Sequence, residues 1–266
     1  MSTSLRNKVA VVTGGSQGIG RGISERLVAA GAHVVVADLK KADDFQQWRN
    51  ASDDQVSYLK TDVTSGESVQ SLAEQIEAQQ GRVDVLVNNA GIMFEKSLEE
   101  QTEADWDLMM AINVKGPMLM SKFLLPLLRY GAAKNGSAAV VNIGSIEGFA
   151  VNPKHTAYSA SKGAVHGFTA ALAVDLGLDK IRVNAIAPGW IDTDLNRAYV
   201  ESVGDVELAK QELAKLHPMG SIGEPSDVGD VVVWLASDES RFVNGQVITV
   251  DGARTRKLSL PPIFQT

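Results

Sequence analysis

The chain contains no cysteine among its 266 residues. Disulfide bonds, thiolate catalysis and cysteine-ligated zinc or iron–sulfur sites are therefore excluded, while the redox compartment stays undetermined. Histidine is also scarce, with four residues in the chain, and none of them has the spacing of a metal site. The sequence predicts no bound metal.

A basic excess is missing as well. The 25 lysine and arginine residues are outnumbered by 32 aspartate and glutamate residues, which leaves a net charge of −7. Proteins that bind nucleic acid need clustered positive charge to neutralise phosphates. Nucleic acid is therefore not an expected partner.

Long apolar runs are few. The polar segment from Met1 to Lys8 leads into a short apolar stretch that stops at Thr13-Gly14-Gly15, unlike the apolar middle of a signal peptide. The stretch Pro117–Leu128 is apolar, but Lys122 interrupts it and it is shorter than the ~18 residues expected of a membrane span. We expect a cytoplasmic protein with no membrane partner.

What the chain does contain is a regular alternation of short β-branched runs with helical stretches. Apolar runs without polar alternation indicate strands covered on both faces, and the βαβ order predicts right-handed crossovers. We predict a single-domain α/β fold, a doubly wound parallel sheet of about seven strands flanked by helices. The predicted strands are Val9–Thr13, Val34–Ala37, Val56–Leu59, Val83–Val87, Ala138–Ile143, Val183–Ile186 and Gln246–Val250.

Two long helical stretches, an insert and a tail depart from this alternation. The helical stretches run over Glu103–Tyr130 and Thr156–Leu178. The insert, at about 190–223, has helix-forming sequence at Val206–Leu216 and glycines near both ends, which permit hinge motion over a site. The alternative is that the insert is a rigid helical segment that does not move. The tail, residues 253–266, packs on a neighbour, covers a cleft or forms a surface strip.

A glycine-rich turn follows the first strand. It reads Thr13-Gly-Gly-Ser-Gln-Gly-Ile-Gly20, and glycines in such a turn let the backbone approach a pyrophosphate at a helix N-terminus. The spacing differs from Gly-x-Gly-x-x-Gly, and a tight connection without a ligand is the alternative. The candidate cofactor residues here are Gly14, Ser16, Gln17, Gly18, Ile19 and Gly20.

The second strand ends near Asp38, where a carboxylate can accept hydrogen bonds from the adenosine ribose hydroxyls of NAD. The same carboxylate would repel the 2′-phosphate of NADP. Lys40 and Lys41 are near enough in sequence to compensate, but Gly15 and Leu39 carry no charge. We therefore predict NAD as the cofactor, with Asp38 as a simple helix N-cap as the alternative.

Tyr158 and Lys162 are four residues apart in a helical stretch, so both side chains lie on one helix face. A free tyrosine has a pKa of about 10, and a nearby ammonium together with a nicotinamide cation can lower it toward neutrality. Such a pair also arises by chance on exposed helices. Upstream, Ser145 follows a predicted strand at the edge where open α/β sheets bind ligands, although a turn or cap role is the alternative.

Together these motifs resemble the short-chain dehydrogenase/reductase family, over about Lys8 to Gly252. The resemblance implies a Rossmann-type fold and a catalytic set of Asn113, Ser145, Tyr158 and Lys162, with Asn113 linked to Lys162 through water. It implies cofactor contacts, besides Tyr158, Lys162, Asp38 and the glycine-rich turn, at Asp62, Val63, Asn88, Asn89, Ala90, Gly91, Ile186, Pro188, Gly189, Ile191 and Thr193. Asn89 and Gly91 are also explained as scaffold that braces the sheet.

Substrate contacts are predicted from loop position only. Besides Ser145 and Tyr158, we expect Glu147, Asn152 and Trp190 to bind substrate. Other loop residues expected near the pocket are Met93, Phe94, Phe149, His155 and Leu195. An exposed loop carboxylate is the simpler account of Glu147, and a cap or surface position is the simpler account of His155.

Three functions fit these observations. The first is an NAD-dependent dehydrogenase that acts on a secondary alcohol, such as a polyol, sugar or cyclic alcohol, and its ketone. The second is a 3-ketoacyl thioester reductase of the same fold, and the third is a non-catalytic sensor that binds NAD(H). The resemblance also implies subunits that meet through the long helices, and we expect a homotetramer.

Overall fold

The computed structural model describes residues 4–202 and 204–258. Seven parallel strands form one sheet in the order β3-β2-β1-β4-β5-β6-β7, which confirms the predicted fold. The strands are β1 Val9–Thr13, β2 His33–Asp38, β3 Val56–Lys60, β4 Val85–Asn88, β5 Ala138–Ile143, β6 Ile181–Pro188 and β7 Val247–Val250.

Helices connect the strands and cover both faces of the sheet. Within the described residues they are α1 Gly18–Ala29, α2 Phe45–Ala51, α3 Gly66–Gln80, α4 Glu103–Met110, α5 Gly116–Asn135, α6 Thr156–Leu176, α7 Asp194–Ser202, α8 Val206–Lys215 and α9 Pro225–Ala236. A π-helical turn, Ala111–Lys115, joins α4 to α5. The insert between β6 and β7 therefore holds α7 and α8, the second close to its predicted position.

Strands β1 to β6 contribute side chains to two hydrophobic cores. In β1, Val9 and Val11 belong to the core under α3, α5 and α6, while Ala10 and Val12 belong to the core under α1 and α9. Both sets are buried because successive side chains of a strand point to opposite faces. This burial explains why the strands have continuous apolar sequences.

The helical stretch Glu103–Asn135 is longer than the sequence indicated. It spans 33 residues and is long and apolar enough, by length and composition alone, to cross a membrane. The shorter apolar run Pro117–Leu128 lies within this helix, which continues through α4, the π-helical turn and α5. Its core-facing side chains, including Met120, Leu124 and Leu128, are fully buried against the sheet.

The strand order creates a crevice at one edge of the sheet. Chain connections run outward in opposite directions from β1 and β4, and such a switch point is where open α/β sheets bind ligands. Thr13 ends β1, Asn88 ends β4 and Ile143 ends β5 at this edge. The predicted cofactor and catalytic motifs follow these strand ends.

Candidate active site

A cavity of about 720 Å³ occupies the crevice. This volume falls within the range of cofactor and small-molecule sites. All predicted cofactor residues of the glycine-rich turn line it except Ser16. The further predicted cofactor residues that line it are Asp38, Asp62, Val63, Asn89, Ala90, Gly91, Tyr158, Lys162, Pro188, Gly189, Ile191 and Thr193.

The glycine-rich turn depends on the absence of side chains. Gly14 has a left-handed φ of 62°, and a methyl group at Gly20 would lie 2.1 Å from the Gly14 carbonyl oxygen. The backbone is therefore folded tightly enough to leave an open cradle at the N-terminus of α1. A methyl group at Gly18 would meet Thr193 at 3.6 Å, so Thr193 stands across the cradle from the helix end.

The loop after β4 is fastened to this turn. The Thr13 hydroxyl oxygen accepts hydrogen bonds from the backbone N–H groups of Asn89 and Ala90, both at 2.9 Å. The Asn89 side-chain amide donates to the carbonyl oxygens of Thr13 and Gly14, at 2.9 and 3.2 Å. The bracing explanation therefore accounts for the amide of Asn89, although the residue also borders the cavity.

Asp38 has a defined orientation at the end of β2. Its carboxylate accepts hydrogen bonds from the backbone N–H groups of Ser16, at 3.0 Å, and Lys40, at 3.3 Å. The Ser16 hydroxyl donates to the Lys40 carbonyl oxygen at 2.7 Å. Ser16 thus fixes Asp38 rather than lining the cavity, and its predicted contact with the cofactor stays a prediction.

The ribose end of the cavity has little positive charge. Among the described residues that line it, Lys162 alone has a cationic side chain, and Lys162 lies beside Tyr158. Lys41, which the sequence left open as a compensating charge, places its ammonium 5.4 and 5.2 Å from the ring centroids of Phe45 and Tyr58. The residues at this end therefore fit an uncharged ribose hydroxyl beside the Asp38 carboxylate.

Ser145 and Tyr158, two of the predicted catalytic residues, meet at the cavity. Ser145 lies two residues beyond β5 and caps a 3₁₀ turn, Ile146–Gly148, where its hydroxyl accepts a hydrogen bond from the Glu147 N–H at 3.1 Å. Tyr158 lies in the first turn of α6 and is hydrogen-bonded to the Ser145 side chain. Both residues line the cavity.

The charge environment favours a protonated phenol. Burial raises the pKa of Tyr158 to about 12, the Ser145 hydrogen bond lowers it, and the negative charge of Glu147 raises it. Burial lowers the pKa of Lys162 to about 8, and its Nζ donates to the Ile143 carbonyl oxygen at 2.9 Å. Lys162 Nζ is 5.6 Å from the Tyr158 ring centroid.

This arrangement differs from the expectation that Lys162 lowers the pKa of Tyr158. Burial and Glu147 raise the pKa of Tyr158, whereas Ser145 is the residue whose contact lowers it. The protein side chains alone hold the phenol as a proton donor. A cation bound in the cavity would favour the phenolate form of Tyr158.

Asn113 occupies the π-helical turn and is buried. Its Oδ1 accepts from the Ile92 N–H at 2.9 Å, while its amide donates to the Ile92 carbonyl oxygen at 2.9 Å and to Ser161 Oγ at 3.0 Å. Asn113 therefore joins the loop after β4 to α6. π-helical turns are frequent at functional sites. The expected water link to Lys162 stays a prediction.

The predicted substrate residues are arranged differently from the cofactor residues. Glu147, Asn152 and Trp190 do not belong to the lining of the described cavity. Glu147 and His155 are buried, so an exposed carboxylate and a surface histidine were wrong interpretations. His155 precedes the first residue of α6, but its ring bonds to Glu147 rather than to the helix end.

Some residues that line the cavity were not predicted from the sequence. Leu108 and Ile112 both line the cavity, on the helical stretch that carries Asn113. Their spacing of four residues, which places them on one helix face, is the signal that would have found them. Across the described part of the chain, no group of three acidic or histidine side chains could hold a metal ion.

Known proteins resemble this chain over nearly its whole length. Residues 14–254 match a sequence model of a family described as enoyl-(acyl carrier protein) reductase. A 3-oxoacyl-[acyl-carrier-protein] reductase of Thermotoga maritima is 34% identical over 250 residues, which cover 93% of this chain and 98% of the relative.

Solved structures share the architecture. Thermoplasma acidophilum aldohexose dehydrogenase, in ligand-free form, has a TM-score of 0.88 and 33% identity, covering 97% of this chain and 98% of that one. A gluconate 5-dehydrogenase from Burkholderia cenocepacia J2315, in complex with NADP and tartrate, has a TM-score of 0.87 and 30% identity, covering 96% and 98%.

Proposed function

Because the chain belongs to the short-chain dehydrogenase/reductase family, we propose that it interconverts a secondary alcohol and its ketone with NAD(H). Membership of this family shows that the chain is an oxidoreductase and that it uses a nicotinamide cofactor. The substrate class proposed is a polyol, sugar or cyclic alcohol. The observation that carries the proposal is Tyr158, which is hydrogen-bonded to Ser145 and lines the same cavity as Lys162 and the glycine-rich turn.

The side chains divide the work of the reaction. Tyr158 donates a proton to the carbonyl oxygen during reduction and removes the hydroxyl proton during oxidation. The Ser145 hydroxyl donates a hydrogen bond to the same substrate oxygen and stabilises its developing negative charge. When bound, the nicotinamide ring supplies or accepts the hydride. Lys162 orients the nicotinamide ribose, and Asn113 positions the loop that borders it.

The choice of NAD is supported by charge. The carboxylate of Asp38 lines the cavity and would repel a 2′-phosphate near it, and among the described lining residues Lys162 alone has a cationic side chain. The gluconate 5-dehydrogenase from Burkholderia cenocepacia J2315, which is 30% identical to this chain, is in complex with NADP. The family therefore includes proteins that bind NADP. The ratio of kcat/KM for NAD and NADP is the direct measurement.

A panel of polyols, sugars and cyclic alcohols, followed by NADH absorbance, tests the reaction. Tyr158→Phe keeps the ring and removes the proton donor, so we expect turnover to fall by about 10²-fold or more while NADH still binds. Tyr130→Phe is the matched control because Tyr130 is exposed on α5. Wild-type inactivity across the panel, with NADH bound, would support the sensor instead.

A second candidate is a 3-ketoacyl thioester reductase. It is favoured by the relative from Thermotoga maritima, whose name gives that activity, and by the family description. An acidic chain with a net charge of −7 is poorly suited to an acidic carrier protein. Reduction of acetoacetyl-coenzyme A with NADPH, faster than any alcohol is oxidised with NAD, would establish this second function.

We also propose that α7 and α8 cover the substrate and that four subunits assemble through the long helices. Exposed apolar side chains on α4, α5 and α6 support assembly, among them Trp106, Met118 and Val174. The buried face of Glu103–Asn135 supports a soluble protein, whose cytoplasmic location stays a prediction. Light scattering of the full chain measures its assembly. The same measurement on a chain truncated after Gly252 tests whether the tail contributes to that assembly. Residues 259–266 of the tail lie outside the described residues.

A further inference from the structure

A buried carboxylate and imidazole pair stands beside the catalytic residues without lining the cavity. His155 Nδ1 is 2.7 Å from Glu147 Oε2, and the two residues are 6% and 8% exposed. A carboxylate only accepts hydrogen bonds, so Nδ1 carries the proton in this pair. A buried charge needs such partners to be tolerated, and Glu147 therefore has a fixed orientation.

The rest of the Glu147 carboxylate is held by one loop. Asn152 donates to it from its side-chain amide at 3.0 Å and from its backbone N–H at 3.4 Å. The same loop is joined to the β4–α4 connection, where the Lys96 N–H donates to the Lys154 carbonyl oxygen at 3.0 Å. The Glu147 carboxylate thus fixes the conformation of residues 149–155 through its bonds to Asn152 and His155.

Two contacts link this pair to the catalytic residues. The His155 ring meets the Tyr158 ring edge to face, with centroids 6.0 Å apart and an interplanar angle of 82°. The Glu147 backbone N–H donates to the Ser145 hydroxyl oxygen at 3.1 Å. One residue pair therefore contacts both the proton donor and its hydrogen-bonding partner.

We propose that Glu147 and His155 are positioning residues, which hold the Tyr158 ring by the edge-to-face contact and place a fixed negative charge beside its phenol. The charge opposes ionisation of Tyr158, so the phenol stays protonated until a cation binds in the cavity. This inference rests on the proposed reaction. It concerns the pH range in which Tyr158 can donate or accept the proton of that reaction.

Other charged groups surround these residues. Lys162 faces Tyr158 from α6, and Glu95 of the β4–α4 connection has its carboxylate 3.4 Å from His155 Nε2. His166 of α6 packs against Gly144 and Gly148, on either side of Ser145 and Glu147 in the chain. Lys96 is paired with Asp105, at 2.7 Å. Of these, Glu147 is the acidic group whose charge acts on the Tyr158 phenol.

The pH dependence of kcat in both directions tests the proposal. Glu147→Gln keeps the shape and removes the charge, so we expect the pH of half-maximal oxidation to fall by about one unit. The alkaline loss of reduction should move to lower pH by the same amount. Glu147→Asp keeps the charge and should keep the wild-type pH dependence even if kcat falls. Glu99→Gln is the control, since Glu99 is exposed on the β4–α4 connection.

Two variants of His155 separate the ring from the charge. His155→Phe keeps an aromatic edge against Tyr158 and should retain more kcat than His155→Ala. A folded Glu147→Gln protein that binds NADH and has an unchanged pH dependence would overturn the proposal. A uniform loss of kcat at every pH would also overturn it, because it would indicate a merely structural role.

An optical titration keeps the inference separate from the proposed reaction. Near-ultraviolet phenolate absorbance in the presence of NAD, taken as the difference from the same protein carrying Tyr158→Phe, reports the ionisation of Tyr158 without turnover. The midpoint should be lower in Glu147→Gln than in wild type. If no alcohol is a substrate, the proposed reaction fails, and this midpoint still decides for or against the positioning pair.

Discussion

The carboxylate of Asp38 accepts a hydrogen bond from the backbone N–H of Ser16 at 3.0 Å, so the end of β2 and the glycine-rich turn share one fixed negative charge. The charge is oriented before any cofactor arrives. A ribose hydroxyl can donate to this carboxylate, whereas a phosphate meets it as a like charge. Cofactor preference should therefore respond to this position.

Exchanging the charge should reverse the preference. The double variant Asp38→Ala with Leu39→Arg removes the carboxylate and offers a guanidinium to a 2′-phosphate. We expect the ratio of kcat/KM for NAD to that for NADP to fall by about tenfold or more. Leu39→Ala alone is the control, and it should leave the ratio nearly unchanged. A wild-type protein that already prefers NADPH would contradict the assignment.

At pH values below the pKa that Lys162 has in the folded protein, this residue should lower the free energy of unfolding. Burial lowers that pKa from 10.5 to about 8, so folding is penalised while the ammonium stays protonated in both states. Between about pH 8 and 10.5 the unfolded chain binds more protons, and stability contributed at this site rises with pH. Lys162→Met should therefore stabilise the protein at pH 7 by about 1 to 3 kcal/mol.

The stabilisation by Lys162→Met should shrink as pH rises through that interval. Urea unfolding at several pH values measures it. Substitution of the exposed Lys122 by Met is the control, and it should show no such dependence. A less stable Lys162→Met protein at pH 7 would mean that the hydrogen bond to Ile143 outweighs the cost of burying the charge.

Gly20 and Gly167 provide a matched pair of glycines in helices. A methyl group at Gly20 would lie 2.1 Å from the Gly14 carbonyl oxygen, whereas at Gly167 nothing lies within 4 Å. Gly20→Ala should therefore cost about 1 to 3 kcal/mol of stability and abolish tight NADH binding. Gly167→Ala should be neutral or stabilising by up to about 1 kcal/mol. Thermal unfolding and NADH fluorescence measure both effects.

Asn113 should contribute to the free energy of unfolding and should hold the loop after β4 against α6 at the cavity. Asn113→Ala leaves the N–H and carbonyl groups of Ile92 without their side-chain partner, at an expected cost of about 1 to 3 kcal/mol. Ser161→Ala removes one partner of the same amide and should cost less. Denaturant unfolding gives the two values. Equal losses would show that the bonds to Ile92 contribute little.

The sheet, and most of the predicted residues that line the cavity, could be recognised from local signals. β1 and β5 begin and end at the predicted residues because glycines follow both strands and β-branched residues fill them. Gly14 and Gly20 were recognisable because glycines after a first strand let the backbone turn tightly at a helix N-terminus. Asp38 was recognisable because a strand end places it at the sheet edge.

The surroundings of Tyr158 could not be predicted in this way. Glu147 and His155 look like loop residues, and their burial follows from a loop closure through Asn152 that no short pattern encodes. The pKa of Tyr158 depends on the burial of its side chain in the folded protein. The π-helical turn at Asn113 was missed because five residues of an apolar helix do not signal it.

The Thr13 hydroxyl, which receives two consecutive N–H groups from the loop after β4, has a consequence for binding entropy. Loops that become ordered only when a ligand arrives subtract their lost freedom from its affinity. Here the walls of the cradle are already cross-linked, so an entering dinucleotide gives up its own freedom and little of the protein's.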